Sequence, residues 1–191
     1  MTEPNDTFNY LAVLFSIILG LAVTEILQGF RRLLLLRRRV QVYWPAVLWA
    51  VTLLVMLAQS WWAMFGLRAH LQWTFGMYGI VLLQCAVLYL VAGLSLAGLD
   101  GESAIDMKQA YFDNARAFFL LMAGVLAISL LKDIVINGHL PGPANIAFHA
   151  VYALGALLAA ATRKPWVHEV YAPLAALAFG AYIVVLFDRL A

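Results

Sequence analysis

The chain has 191 residues, of which 65% are hydrophobic and 12% charged, with a formal net charge of +2 and a mean hydropathy of +0.89. A soluble domain is roughly half apolar and about a quarter charged. This composition therefore excludes a soluble globular protein and indicates one that lies in a lipid bilayer. Short polar or basic stretches interrupt the apolar sequence at regular intervals, and no stretch is long enough for a separate soluble domain.

The apolar stretches have the length of membrane-spanning helices. Such a helix needs roughly 20 mostly apolar residues. Six stretches qualify, at about Asn9–Phe30, Pro45–Leu67, Met77–Gly98, Arg116–Asn137, Asn145–Ala161 and Val170–Asp188. We therefore predict an all-α integral membrane protein with six transmembrane helices, in which residues 1–191 form one transmembrane domain. From Ser103 onward, the longest loop has the pattern of a short interfacial helix.

The distribution of Lys and Arg predicts the orientation, because cytoplasmic loops carry an excess of both. Nine of them lie after spans one, three and five: Arg31, Arg32, Arg37, Arg38, Arg39, Lys108, Arg116, Arg163 and Lys164. The opposite side has three, Arg68, Lys132 and Arg189. We therefore place both termini outside the cytoplasm. The five arginines that follow span one are expected to bind anionic lipid headgroups, at about 1 kcal/mol each, so no nucleic-acid partner is needed to explain the positive charge.

Weak internal repetition matches spans one to three with spans four to six, in the same order. Thr24-Glu25-Ile26 resembles Lys132-Asp133-Ile134, and Trp49-Ala50-Val51 resembles His149-Ala150-Val151. Two three-helix halves related in this way are inverted in the membrane, which is a common plan in transporters. Apolar helices also match one another by chance, so both explanations stay open.

Small residues recur at four-residue spacing on three spans, which predicts close helix packing there because small side chains let backbones approach. They are Ser16, Gly20 and Thr24 on span one, Gly155 and Ala159 on span five, and Ala172, Ala176 and Gly180 on span six.

Span one carries polar groups at membrane depth, where ionisable side chains are costly and often functional. Glu25 lies in its cytoplasmic third, and Arg32 lies two turns later on about the same face. We weigh a structural ion pair equally against a proton- or cation-coupling role for Glu25. Thr24 belongs to a polar series with Ser16 and Gln28. That series indicates either close packing or the lining of a pathway.

Polar residues of the other spans lie at similar depth near the outer side. Lys132 and Asp133 are adjacent in span four, so their side chains diverge by about 100°. They either end the helix and reach the interface or belong to a site. The topology places Gln59, Gln84 and His149 at the same depth. These five residues are expected to converge on a pocket open to the outside.

No motif points to a cofactor or a catalytic centre. A haem held by two histidines needs both inside the membrane, whereas His70, His139 and His168 are assigned to loops. No Cys/His spacing fits zinc, and the single cysteine, Cys85, fits a small buried residue better than a redox centre. Hydrolase, P-loop and dinucleotide-binding motifs are absent. We expect no cofactor and no metal ion.

The segment Phe8–Thr24, followed by basic residues and later by Trp61-Trp62, resembles a group of uncharacterised bacterial six-helix inner-membrane proteins. The resemblance covers about the first third of the chain. It implies six helices and a bacterial inner membrane, and it carries no activity.

Three classes of function fit these features. We favour a small transporter or channel for an ion or small solute, in which Glu25 couples protons or cations while Lys132 and Asp133 bind or gate on the outer side. The alternative is a non-enzymatic subunit or assembly factor of a membrane complex, whose small-residue stripes face a helix of its partner. In either case we expect the chain to be oligomeric, as a homo-oligomer or with a partner membrane protein. An enzyme acting on lipid or quinone, with His149 and Asp133 in acid–base roles, is the least favoured.

Overall fold

The computed structural model describes residues 4–69, 72–99 and 105–186. Its helices are α1 (Pro4–Leu35), α2 (Trp44–Met64), α3 (Phe75–Ser95), α4 (Met107–Asn137), α5 (Pro143–Ala161) and α6 (Pro165–Leu186). A short 3-10 helix, Phe65–Ala69, directly follows α2. All six α-helices are long and apolar enough to cross a membrane. The predicted all-α fold with six transmembrane helices is confirmed.

Helix α4 begins nine residues before the predicted start of span four at Arg116, because a local capping signal starts it at Met107. The carboxylate of Asp106 accepts hydrogen bonds from the backbone N–H groups of Lys108 and Gln109, at 2.9 and 3.2 Å. The prediction of a separate short interfacial helix from Ser103 onward is therefore wrong. Ser103 itself lies outside the described residues, and the chain from Met107 onward is the first part of one continuous helix.

The helices pack in a closed ring. In the described chain α1 packs mainly against α3, α3 against α4, and α4 against α5, while α5 contacts α6, α6 contacts α2, and α2 returns to α1. Helix α2 also contacts α3 and α4, so it lies nearest the centre. Within the first half α1 packs mainly on α3, whereas within the second half α4 packs mainly on α5. This packing does not show two inverted halves, and the repeat stays a prediction.

The loops that carry most of the cations meet at one end of the ring. Strand β1 (Val40–Gln41) pairs in parallel with β2 (Ile105–Asp106). Between α5 and α6, the Arg163 guanidinium lies 2.9 Å from the Asp113 carboxylate. We call this end the Arg-rich end. It is defined by Arg31, Arg32, Arg37, Arg38 and Arg39, whose side chains are all exposed.

Close packing between α5 and α6 depends on Gly155, as predicted. A Cβ atom at this position would overlap the ring of Tyr171, whose hydroxyl donates to the carbonyl oxygen of Tyr152 at 2.9 Å. On α6 the prediction is partly wrong, because Gly180 is exposed and has open space around it. The fully buried positions of that helix recur at three- and four-residue spacing: His168, Ala172, Ala175 and Phe179.

Candidate functional site

A cavity of about 200 Å³ lies in the half of the bundle opposite the Arg-rich end. Its wall is formed by the C-terminal halves of α2, α4 and α6, the middle of α3 and the first turns of α5. Helix α1 contributes no described residue to it. This volume is below the roughly 300–1,000 Å³ of pockets that hold drug-sized ligands, so the cavity suits a small solute.

The five polar residues placed at one depth by the sequence all line this cavity. Gln59 comes from α2, Gln84 from α3, Lys132 and Asp133 from α4, and His149 from α5. The cavity is partly open to the surface. The packing of the helices thus brings these five residues together. The sequence alone indicated their depth in the membrane but not that they share one cavity.

Lys132 and Asp133 are the two charged side chains of the described cavity wall. Both are half-buried, and α4 continues to Asn137 beyond them. Among the described residues, no ion pair within 4 Å joins their ammonium and carboxylate groups. The two charges therefore face the cavity and not only the membrane interface, and neither group neutralises the other by direct contact.

His149 is 4% exposed and is held in one orientation. Its Nδ1 lies 2.9 Å from the carbonyl oxygen of Asn145, one turn earlier in α5. Because a carbonyl only accepts, Nδ1 carries the proton in this hydrogen bond. In the neutral ring this leaves Nε2 as an acceptor, so the residue offers the cavity a lone pair.

Four polar cavity residues that the sequence analysis did not select are Ser60, Ser129, Asn145 and Tyr182. The Tyr182 hydroxyl donates to Oδ1 of Asn145 at 3.1 Å, and its ring stacks on that of Phe148 with centroids 4.0 Å apart. A sequence signal for Asn145 existed, because it lies four residues before His149 on the same helical face. Nothing in the sequence distinguished Tyr182 from an aromatic residue at the membrane interface.

Packed aromatic rings fill the bundle between the cavity and the Arg-rich end. The indole of Trp49 has its centroid 5.3 Å from the ring of Phe119 and 5.7 Å from that of Phe118. Trp49 is 1% exposed and Phe119 is fully buried. We call this cluster the aromatic plug, consisting of Trp49, Tyr111, Phe118, Phe119 and His168. None of these five residues lines the cavity, and they occupy the part of the bundle nearer the Arg-rich end.

His168 connects the plug to the loop between α5 and α6. The Tyr111 hydroxyl lies 2.9 Å from Nδ1, and Nε2 lies 2.9 Å from the carbonyl oxygen of Thr162. Since that carbonyl must accept, Nε2 donates and Nδ1 accepts from Tyr111. The assignment of His168 to a loop is wrong, because it lies in the first turn of α6 and is 0% exposed. Both ring nitrogens are occupied, so it is a structural histidine.

Tyr43 packs beside the plug at the start of α2, with its ring 5.1 Å from that of Tyr111. Burial and the nearby Glu169 carboxylate raise the pKa of Tyr43 to about 12. Its phenol is therefore neutral at neutral pH and acts as a packing group.

The candidate residues of span one lie apart from the cavity. Glu25 is half-buried on α1, and Thr24 is exposed, with its hydroxyl donating to the carbonyl oxygen of Gly20 at 2.8 Å. These two residues therefore do not contact a solute in the cavity, and any effect of theirs on solute binding is indirect.

No group of three or more potential ligands for a metal ion occurs in the described parts of the chain. No protein-family model matches the sequence, and neither a curated protein nor a solved structure matches it. The fold and cavity define a class: the chain is an integral membrane protein with six apolar helices, five of which line a small cavity with polar and apolar side chains.

Proposed function

We propose that the protein is a small-solute transporter and that the cavity is its binding site. The observation that carries this proposal is the convergence of two charged and several amide or hydroxyl side chains, from five helices, on one cavity at membrane depth. A charged side chain at the centre of a membrane costs roughly 2.5–3.5 kcal/mol or more. Placing two of them around an accessible cavity supports a ligand that offsets this cost.

The aromatic plug favours a transporter over a channel. A channel needs a continuous polar path, whereas the rings of Trp49 and Phe119 are in contact distance across the bundle, 5.3 Å between centroids. In a transporter such a barrier rearranges while the site changes its access from one face to the other. The structure then corresponds to a state in which the site is closed toward the Arg-rich end.

For the membrane itself we propose a bacterial inner membrane, with the Arg-rich end in the cytoplasm. The excess of exposed arginines at that end supports this orientation, and we propose that those arginines contact anionic headgroups. Both termini and the half of the bundle that contains the cavity then face the outside of the cell.

Two-sided thiol labelling tests transport without knowledge of the solute. The single cysteine, Cys85, is first replaced by serine, and Gln59→Cys then places a thiol in the cavity wall. A membrane-impermeant maleimide is applied to either face of sealed vesicles. We expect fast labelling from the face opposite the Arg-rich end and slower but complete labelling from the Arg-rich face, because the site alternates its access.

Two exposed positions in the same background calibrate the faces. Arg37→Cys is expected to react only from the Arg-rich face, and Leu140→Cys, in the loop after α4, only from the other. If Gln59→Cys is labelled from the same single face under every condition, the transport proposal is wrong. The cavity is then a binding pocket that is accessible from one face only.

The exposed face of α1 favours a second candidate, a subunit of a larger membrane assembly. Gly20, Thr24 and Gln28 follow one another at four-residue spacing, and all three are exposed. Small and polar residues at this spacing are typical of contacts between membrane helices, since lipid offers no hydrophobic drive for association. The occupant of that face is then a helix of a partner membrane protein.

Native mass spectrometry of the protein, purified gently from its own membrane, separates the two candidates. A second polypeptide in fixed stoichiometry is the result expected for a subunit. A homomer made of this chain alone contradicts that candidate and agrees with the transporter.

A further inference from the structure

We infer that the cavity binds a small zwitterion, with the ligand's anionic group near Lys132 and its cationic group near Asp133. This inference rests on the proposed function and names the class of solute. It follows from where the two charges lie, from the charge balance of the cavity and from the size of the space.

The two charges face different walls. Lys132 and Asp133 are consecutive on α4, so their side chains diverge by about 100°. Helix α4 packs against α3 on one side and α5 on the other. The cavity wall that they line also carries Gln84 and Cys85 of α3, His149 of α5 and Tyr182 of α6. The Lys132 ammonium and the Asp133 carboxylate attract each other, but no ion pair within 4 Å joins them in the described chain, so the wall presents two separate charged poles.

The charges of the described wall balance. With His149 neutral, one ammonium and one carboxylate leave the cavity with no net charge. At low dielectric, a ligand of net charge leaves one charge uncompensated, and an uncompensated buried charge is strongly unfavourable. A zwitterion places a negative charge near the Lys132 ammonium and a positive charge near the Asp133 carboxylate, and it adds no net charge to the cavity. It is therefore the class of ligand that this arrangement favours.

The remaining wall is neutral and combines polar with apolar side chains. Gln59, Gln84, Ser129 and Asn145 offer amide and hydroxyl groups, while Val81, Leu88, Val125, Leu126 and Phe179 form apolar surface. At about 200 Å³ the space matches a small amino acid or betaine in scale.

Direct binding to the purified full-length protein tests the inference. The ligands are glycine, alanine and glycine betaine, with acetate and methylammonium as the two separate charged halves of glycine. We expect at least one of the zwitterions to bind, and both acetate and methylammonium to bind about 10-fold weaker or less, because each satisfies one pole only.

Charge removal at each pole gives a result that misfolding cannot imitate. Lys132→Gln is expected to weaken zwitterion binding about 10- to 100-fold and to make methylammonium the better ligand, because only the carboxylate remains. Asp133→Asn is expected to weaken it similarly and to make acetate the better ligand. Lys164→Gln and Asp113→Asn remove the same charges outside the cavity and are expected to bind like the unmodified protein.

The inference is overturned if none of the three zwitterions binds, if acetate or methylammonium binds the unmodified protein as tightly as they do, or if the two cavity variants keep full affinity. If Gln59→Cys is labelled from both faces but no zwitterion binds, the proposed ligand class is wrong and the transport proposal stands. If a zwitterion binds but Gln59→Cys is labelled from one face only, the transport proposal is wrong and the binding site stands.

Discussion

Replacing His168 by alanine is expected to lower the free energy of unfolding by about 2–5 kcal/mol, which is among the largest effects that a single side chain of this protein has. The imidazole is 0% exposed and connects the Tyr111 hydroxyl on α4 to the Thr162 carbonyl before α6. Its loss leaves two polar groups without a partner and opens a void among aromatic rings. Thermal or denaturant unfolding in detergent micelles measures the effect.

His139 provides a matched control, since it is an exposed histidine whose Nδ1 contacts only the neighbouring carbonyl oxygen of Leu140. His139→Ala is expected to change the unfolding free energy by less than about 0.5 kcal/mol. Tyr111→Phe removes one of the two bonds to His168 and is expected to cost about 1–3 kcal/mol. Equal stability of His168→Ala and His139→Ala would show that the buried connection contributes nothing.

Uptake of a radiolabelled zwitterion into proteoliposomes is expected to fall about 10- to 100-fold in Asp133→Asn. The carboxylate is one of two charges in the described cavity wall, and its amide analogue keeps the shape of the side chain while losing the charge that pairs with the ligand's cationic group. Asp113→Asn, at the exposed ion pair with Arg163, is the matched control and is expected to retain full uptake. Full uptake by Asp133→Asn removes this residue from the mechanism.

Glu25→Gln separates binding from coupling. Because α1 contributes no described residue to the cavity, the variant is expected to bind the zwitterion normally. If Glu25 couples transport to protons, uptake by this variant no longer responds to a pH gradient. Loss of equilibrium binding in Glu25→Gln would instead mean that α1 contacts the solute in another state.

The sequence predicted which residues lie at the depth of the cavity. Gln59, Gln84, Lys132, Asp133 and His149 were found because polar groups within long apolar stretches are rare and their distance from the helix ends is readable. Their convergence depended on how the helices are rotated about their axes. Rotation is set by packing, for example by the contact of Gly155 with the Tyr171 ring.

The aromatic plug could not be predicted from the sequence either, because it also depends on how the helices are rotated about their axes. Trp49, Phe118 and Phe119 resemble any other apolar residue of a spanning helix, and His168 follows Trp166 and Val167 near the predicted loop. Only the packed structure shows that His168 has both ring nitrogens bonded and that the rings close one half of the bundle.

The sequence by itself determined the class of this protein. Six apolar stretches of spanning length require six helices, since a backbone in lipid must satisfy its own hydrogen bonds. The tertiary structure decided the rest: which polar residues share one cavity, that α1 contributes no described residue to it, and that packed aromatic rings fill the bundle toward the Arg-rich end. Hydropathy measures the depth of a residue along the membrane normal, whereas a site depends on the neighbours of that residue at the same depth, and these are fixed by contacts between helices.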